Sequence, residues 1–334
     1  MRPAFAATLR CPRCRTPRPF AVTADATDDT EIRTGSLTCE RCGHVAAIRD
    51  GIADLLHEPP DFVVREAAGL ARFAEVMRQD GWTKEDIVAL PKRHDGYWWN
   101  QDVLMTQVLD EVPFTPGETI LDLGSNTCWA SAAFAQHGLE ATALDIAEHE
   151  LQGLRTAQWQ FEAKDVFFER VLGVMFDLPF ADATFRNAWA CEVLHHNHRA
   201  NLARTFREAF RVLEPGGRLI VANEPLRSLR DPMRDPGAAV AAFEGHEHAY
   251  VRASYTTLAR QAGFEVEVRG PAYHGLFQKG GIGLSDRMTT AQVLVGAATQ
   301  LARKSPAVKR AWLAAKAYVA GGTALHMICT KPMS

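Results

Sequence analysis

Long apolar runs are missing from this sequence of 334 residues, and so is a strong excess of charge of either sign. No stretch approaches the ~18 consecutive apolar residues of a membrane-spanning helix, and Met1 to Phe5 contain no apolar leader. The sequence therefore predicts a cytoplasmic protein without a transmembrane segment. A formal net charge of −3 gives no general attraction to nucleic acid.

Cysteine is scarce, and the spacing of the seven residues does not predict a disulfide framework. Four of them form two C-x-x-C pairs: Cys11, Cys14, Cys39 and Cys42. Two such pairs supply the four thiolates of a tetrahedral zinc site, whereas a redox site needs only one pair. We expect a zinc ribbon with a structural Zn²⁺ over residues 1–58, and an exposed acidic loop over residues 24–31.

A G-x-G-x-x-G fingerprint is also missing, which disfavours a nicotinamide dinucleotide site. Residues 119–145 nevertheless have the pattern of strand, loop, helix and strand. The apolar run 119–123 is followed by Gly124-Ser125-Asn126-Thr127, whose turn chemistry opens a helix over residues 128–137. The second strand, 141–144, ends on Asp145. In such a nucleotide-binding half, loop N–H groups face an anionic group and the acid binds a ribose diol.

This loop resembles motif I of class I S-adenosylmethionine (SAM) dependent methyltransferases. Asp122 and Gly124 match the motif, while Asn126 and Cys128 stand at two further glycine positions. Asn tolerates a left-handed backbone well, so the loop can form; Cys128 is expected to add bulk near the cofactor. Later segments resemble the ubiquinone/menaquinone branch of this family: Leu178-Pro179-Phe180, Asp182 to Phe185, Leu194-His195-His196 and Arg211 to Gly217.

The resemblance implies an α/β protein with a Rossmann-like, seven-stranded methyltransferase domain preceded by the zinc ribbon. The expected bounds are a ribbon over 1–58, a helical linker over 59–94, and the methyltransferase domain over 95–334 with a helical insertion at about 280–320. SAM is the implied cofactor. Its implied binding residues are Asp122, Gly124, Ser125, Asn126, Asp145, Ile146, Phe176, Asp177 and Cys191. Val174 stands where the family commonly has an adenine-reading acid, so the backbone at Met175 and Phe176 or the carboxylate of Asp177 takes that role.

Apolar spacing predicts the remaining elements. Helices are expected over 62–79, 97–112, 201–213 and 254–262, and a helical region extends from Asp145 to about Glu169. Strands three to seven are expected over 171–175, 188–191, 218–222, 264–269 and 323–330, with the last two antiparallel. Tyr97, Trp98 and Trp99 begin the second of these helices. They either cover the cofactor or substrate, or they dock the helix on the sheet.

Five residues are candidates for acid/base chemistry: His195, His196, Glu224, His246 and His248. The first two follow the fourth strand, and Glu224 ends the fifth, at the sheet edge where ligands bind in open α/β folds. His246-x-His248 lies in a polar loop beyond it. A divalent metal site there is the alternative to a metal-free acid/base or binding role.

Three functions stay open. The leading one is a SAM-dependent methyltransferase acting on a small-molecule acceptor, such as a sugar, a lipid-linked intermediate or a secondary metabolite. The runner-up is an rRNA or tRNA base methyltransferase that docks through the ribbon, because the ribbon resembles zinc-ribbon activators of RNA methyltransferases. The third is a non-catalytic SAM-binding pseudo-enzyme. From Arg287 onward the chain carries Lys and Arg but no acid, so its helices face a peripheral membrane surface or lipid-linked substrate, or form a lid.

Overall fold

The computed structural model describes residues 1–93, 96–227, 248, 250–269 and 324–333. The predicted insertion at 280–320 lies outside these ranges, and so does His246. Within them, no helix has both the length and the apolar character needed to cross a membrane.

Among the described residues, eleven strands make up one mixed sheet. They are β1 (Phe20–Thr27), β2 (Ile32–Cys39), β3 (Val45–Arg49), β4 (Ile52–Asp54), β5 (Thr119–Leu123), β6 (Glu140–Asp145), β7 (Glu169–Leu172), β8 (Phe185–Cys191), β9 (Leu213–Pro225), β10 (Glu265–Arg269) and β11 (Ala324–Thr330). Their order across the sheet is β1-β2-β3-β4-β7-β6-β5-β8-β9-β11-β10.

The last seven positions of this order, from β7 to β10, form the predicted Rossmann-like arrangement. Strands β7, β6, β5, β8 and β9 are parallel, and β11 pairs antiparallel with both β9 and β10. The predicted fold class is therefore confirmed. Leu219 and Val221 of β9 enter one apolar cluster, while Ile220 and Ala222 enter another, so the sheet is covered on both faces.

The helices are α1 (Asp61–Gln79), α2 (Lys84–Ala89), α3 (Gly96–Glu111), α4 (Trp129–Gln136), α5 (Ala157–Lys164), α6 (Arg199–Val212) and α7 (Arg252–Gln261), with short 3-10 helices at Pro3–Thr8, Leu154–Thr156 and Leu194–His196. Five of them, α1, α3, α4, α6 and α7, match predicted helices to within a few residues. Helix α2 was not predicted; it begins with a capping box between Thr83 and Asp86.

The ribbon is part of the main sheet and not a separate layer. Strand β4 pairs in parallel with β7, with Ile52 opposite Arg170, so β1 to β4 extend the sheet. The predicted loop over 24–31 is wrong over 24–27, because β1 continues to Thr27, and the connection to β2 covers only 28–31. The last residue of this range, Glu31, is 4% exposed, because its carboxylate binds the Met1 amino group and the Arg170 guanidinium.

Buried charges join the ribbon to the rest of the chain. The Glu31 carboxylate receives hydrogen bonds from the Met1 amino group and from the Arg170 guanidinium, and Arg170 also donates to the Asp50 carbonyl at 3.1 Å. Arg2 pairs with Glu169 of β7 at 2.8 Å. A buried arginine without its carboxylate is strongly unfavourable, so these pairs fix how the ribbon sits on β7.

The third strand of the methyltransferase-like sheet begins earlier than predicted. Helix α5 ends at Lys164, and Asp165 adopts a left-handed conformation with φ of 51°. The expected helical region from Asp145 to about Glu169 is therefore wrong at both ends, since helical structure covers only 154–164, and β7 covers 169–172 instead of 171–175. Aromatic residues pack together across the turn before β7, with the Phe161 and Phe168 rings 4.8 Å apart.

Candidate active site

The loop after β5 has a left-handed backbone and packs closely against Val193. Gly124 has φ of +68°, and a Cβ added there would lie 2.2 Å from Val193 Cγ2. Asn126 and Cys128 are also left-handed, with φ of 44° and 55°, so the prediction that Asn126 can replace a glycine in this backbone is confirmed. The expected bulk of Cys128 near the cofactor is wrong. Its side chain is buried beneath the loop, 3.9 Å from Ser125 Oγ.

Asp145 ends β6 beside this loop. Its carboxylate accepts hydrogen bonds from the backbone N–H of Asn126 at 2.8 Å and of Ala147 at 2.9 Å. The residue is 6% exposed, and burial raises its pKa to about 6. The carboxylate therefore ties the loop after β5 to the end of the neighbouring strand.

Asp122 lies one strand away, within β5. It accepts hydrogen bonds from the Ser131 hydroxyl at 2.6 Å and from the Ser131 backbone N–H at 3.1 Å. Burial raises its pKa to about 7, and the nearby Asp145 charge adds to the rise. Two buried acids thus border the loop from two strands.

The cleft above the loop has two connected parts. The smaller, which we call the inner pocket, has a volume of about 110 Å³, and Asp145, Ile146 and Phe176 are among its lining residues. The larger, which we call the chamber, has a volume of about 540 Å³. Both parts are lined by Leu70, Gly124, Asn126, Glu192 and His196.

Aromatic side chains form much of the chamber wall. They come from the region 73–98, from α4 and from β8: Phe73, Trp82, Tyr97, Trp98, Trp129 and Trp189. Tyr97 and Trp98 therefore line the cleft, which favours the cover interpretation of that aromatic run. Asp122, Ser125, Cys191 and His195 also line the chamber.

His195 and Glu224 form a buried pair at the chamber. Nδ1 of His195 lies 2.9 Å from Oε1 of Glu224. Glu224 is fully buried, and it also accepts hydrogen bonds from the backbone N–H groups of Val193, Leu194 and His195 and from the Tyr255 hydroxyl. A carboxylate accepting these bonds requires a proton on Nδ1, which leaves Nε2 as the basic nitrogen.

Glu224 was predicted as a catalytic base, and the structure corrects this. With no exposed surface and both oxygens engaged, its carboxylate cannot reach an acceptor. It is a positioning residue for His195. Of this pair, only His195 lines the chamber and can act as an acid or base there.

Glu192 was not among the predicted site residues, although it lines both parts of the cleft. Its carboxylate accepts hydrogen bonds from the Tyr97 hydroxyl, from Gln101 Nε2 at 2.9 Å and from Asn223 Nδ2 at 2.7 Å. These donors come from α3 and β9, more than thirty residues away in sequence on either side. No local sequence pattern could have identified this network.

Of the other three predicted catalytic residues, the structure places only His196 in the lining of the cleft. His196 lines both parts of the cleft, and its Nδ1 lies 2.6 Å from Oε1 of Glu66 on α1. His248 donates its backbone N–H to the His195 carbonyl at 2.7 Å, and its ring packs on His198 with centroids 4.1 Å apart. His246, with the proposed metal alternative, lies outside the described residues.

Asp177 is held away from the predicted adenine position. Its two carboxylate oxygens pair with Arg10 at 2.8 Å and Arg15 at 2.9 Å, both from the ribbon. Phe176, its neighbour, lines the inner pocket and packs against Phe62 of α1. Of the two groups expected to bind adenine, the structure therefore favours the segment at Phe176 over the Asp177 carboxylate. Asp177 instead contacts the ribbon.

The four ribbon cysteines meet at one point. Their sulfur atoms all lie within 4.8 Å of one another, with Cys11 and Cys42 3.7 Å apart and Cys14 and Cys39 3.6 Å apart. A tetrahedral ion with bonds of ~2.3 Å to sulfur requires sulfur separations of about 3.8 Å. The cluster can therefore hold a metal ion.

Comparison with known families agrees with this geometry. Residues 121–221 match the family model described as "Methyltransferase domain", and residues 2–51 match that of "Trm112p-like protein". The chain carries a class I methyltransferase domain. Its N-terminal ribbon is Trm112-like, which agrees with the predicted zinc ribbon at the N-terminus.

Curated relatives of the methyltransferase domain include enzymes with different printed acceptors. The 27-O-demethylrifamycin SV methyltransferase of Amycolatopsis mediterranei is 27% identical over 52% of this chain and 66% of its own length. O-methyltransferase rstn1 of Aspergillus nomiae is 30% identical over 40% and 58%. Demethylmenaquinone methyltransferase of Corynebacterium glutamicum is 36% identical over 32% and 42%. The chain spans less than two thirds of the length of each of these relatives.

Solved structures with a similar arrangement are more distant. A complex that contains the Haloferax volcanii Trm112 methyltransferase activator has a TM-score of 0.48, at 17% identity over 80% of this chain and 97% of that one. The cyclase SpnF has a TM-score of 0.48, at 20% identity over 72% and 85%. The assignment of the fold rests on the strand order.

The cleft of the methyltransferase domain fits SAM. Within the described part of the chain, Asn126 Oδ1 and Thr127 Oγ1 are buried without a hydrogen-bond partner, and both residues line the chamber. Such atoms are costly unless a ligand satisfies them. Asp145 would take the ribose in the inner pocket, and the loop 124–127 would take the methionine end in the chamber.

Proposed function

We propose that the chain is a SAM-dependent methyltransferase whose acceptor is a small molecule bound in the chamber. The observation that carries the proposal is that the inner pocket and the chamber share the loop after β5 as a wall. The inner pocket has the acid expected for a nucleoside, and the chamber that joins it at Gly124 and Asn126 contains His195. A volume of about 540 Å³ is within the usual range of small-molecule sites.

When bound, SAM supplies an electrophilic methyl group. The residues of this chain hold the acceptor in line, exclude water and remove its proton. His195 is the base in this proposal, because Glu224 orients its ring through Nδ1 and Nε2 is the nitrogen that can receive a proton. Asp122, Asp145 and the loop 124–127 bind the cofactor.

The four-cysteine cluster is proposed to hold a structural Zn²⁺. Four thiolates fill a tetrahedral shell and leave no position for a substrate or water. Arg10 and Arg15, next to the first cysteine pair, contact Asp177 behind the inner pocket. The ribbon thus supports the wall of the cleft, and this contact gives it a role that does not require RNA docking.

The experiment is transfer of labelled methyl groups from SAM into a fractionated cell extract by the purified chain. We expect label in the small-molecule fraction, and none with the His195→Gln variant. Label in the RNA fraction would favour the base methyltransferase alternative. No label in any fraction, with SAM binding intact, would favour the pseudo-enzyme.

A further inference from the structure

We infer that the acceptor is a neutral, planar aromatic compound with a hydroxyl group, bound against the aromatic rings that line the chamber. This inference rests on the proposed function and adds the chemical class of its acceptor. Three observations on the chamber carry it: the arrangement of the aromatic rings, the sign of the charged lining residues, and the orientation of His195.

The rings are set at right angles to one another. Trp98 meets Trp129 with centroids 6.2 Å apart and an interplanar angle of 84°, and Tyr97 meets Trp98 at 5.0 Å and 84°. Trp129 is 8% exposed, so its ring is fixed by the core. Fixed flat faces and edges suit a planar ring, which can stack on one wall and meet the edge of another.

The charged residues in the described chamber lining are acids, Asp80, Asp122 and Glu192, with no Lys or Arg among them. Arg93 stacks over Trp82 with its guanidinium 4.1 Å from the ring centroid, but it pairs with Asp86 at 2.8 Å. A carboxylate or phosphate on the acceptor would lie among like charges. The chamber therefore disfavours anionic acceptors.

His195 fits an acceptor that must lose a proton. A phenolic hydroxyl, with a pKa near 10 in tyrosine, gives its proton to imidazole far more readily than an aliphatic alcohol does. The new bond joins the acceptor oxygen to the methyl carbon as the sulfur–methyl bond breaks, and its electron pair stays on sulfur, leaving a neutral thioether. The hydroxyl proton goes to Nε2 of His195, so charge and atoms balance.

Four matched probes test the inference: β-naphthol, its fully saturated analogue decahydro-β-naphthol, its ring-carboxylated analogue, and β-naphthylamine. Binding is measured by calorimetry with the full chain saturated with S-adenosylhomocysteine, and methyl transfer is measured separately with labelled SAM. We expect β-naphthol to bind about tenfold more tightly than the saturated and carboxylated analogues, and to be the probe that is methylated.

Variants of Trp98 test the ring walls. Trp98→Leu should weaken β-naphthol binding by about tenfold while the saturated analogue is little changed, and Trp98→Phe should restore most of the loss. Trp159→Leu is the matched control, because Trp159 lies on α5 and is not among the chamber residues. Rescue by phenylalanine distinguishes a ring contact from a folding defect.

Tighter binding of the saturated or carboxylated probe, no binding of β-naphthol, or methylation of β-naphthylamine in place of β-naphthol would each overturn the inference. The proposed function fails by a different result, namely absence of SAM binding or of label in every fraction of an extract. A chain that methylates other small molecules but rejects β-naphthol keeps its function and refutes the aromatic acceptor.

Discussion

Nδ1 of His195 lies 2.9 Å from Oε1 of Glu224, at a point where the fourth and fifth strands of the methyltransferase sheet end side by side. Glu224 is the penultimate residue of β9, where it pairs with Leu325 of β11, and the histidine follows β8 by four residues. Both residues were predicted as candidate bases from the sequence. The contact leaves His195 as the base and makes Glu224 the residue that positions it.

Removing the base should reduce turnover without affecting the cofactor. His195→Gln is expected to lower kcat by about 10²- to 10⁴-fold, with SAM affinity unchanged in calorimetry. Glu224→Gln keeps the shape but can present an amide N–H toward Nδ1, which disfavours the productive tautomer. It should lower kcat and change the pH profile of the rate, whereas a purely structural role would lower the melting temperature alone.

Gly124 should not tolerate a larger residue, because the Val193 side chain occupies the space that a Cβ would need. Gly124→Ala is expected to lose SAM binding, because its Cβ would lie 2.2 Å from Val193 Cγ2. Gly117→Ala is the control, since Gly117 has φ of +86° but nothing within 4 Å of its Cβ, so it reports the backbone cost alone. The double variant Gly124→Ala with Val193→Ala should recover part of the loss; if it does not, the clash is not the cause.

Cofactor affinity should depend on pH through Asp145. Its pKa is raised from 3.8 to about 6 by burial, and a protonated carboxyl cannot accept from both ribose hydroxyls. SAM affinity should therefore fall as pH drops through about 6, whereas an exposed aspartate would titrate near 4. Asp145→Asn should remove this step. A separate step from Asp122, whose pKa is raised to about 7, should stay.

Much of this site could be predicted because its chemistry is local. Asp122, Gly124, Asn126 and Asp145 fall within one strand-loop-helix-strand unit, and the sheet edge brings them together. The strand order also follows from the family motifs. The ends of β7 and the course of residues 24–31 could not be predicted, since aromatic packing around Phe161 and the buried partner of Arg170 decide them.

The rest of the site depends on elements distant in sequence. Glu66 reaches His196 from α1, and Tyr97 and Gln101 reach Glu192 from α3. Burial decides other assignments: Glu224 ends a strand in the expected place, but only its 0% exposure shows that it cannot meet an acceptor. Spacing in sequence carries no information on these contacts.

The ribbon contact should contribute to stability through Arg10. Arg10 pairs with Asp177 and Glu208 at 2.8 and 2.9 Å, and its side chain is 12% exposed. Arg10→Ala should lower the free energy of unfolding by roughly 1–3 kcal/mol, because two partly buried acids each lose one of their partners. Arg15→Ala, which removes a 61% exposed partner of the same Asp177, should cost less than about 1 kcal/mol. Equal losses in denaturant titrations would contradict this ranking.

Metal content should follow the four ribbon cysteines. We expect about one Zn²⁺ per chain by elemental analysis, and Cys14→Ser should release it and lower the melting temperature, since a structural site contributes folding free energy. Cys329→Ala, a buried cysteine in β11, should keep its zinc. A ribbon that stays folded without metal would contradict a structural role.

The most direct test of the account is a calorimetric titration of the full chain with SAM. We predict one SAM bound per chain, a loss of roughly five- to a hundred-fold in affinity for Asp145→Ala, and no change for Glu140→Ala at the opposite, exposed end of the same strand. If the wild-type chain gives no binding at millimolar SAM, or Asp145→Ala binds as tightly as the wild type, the cofactor site assigned to this cleft is wrong.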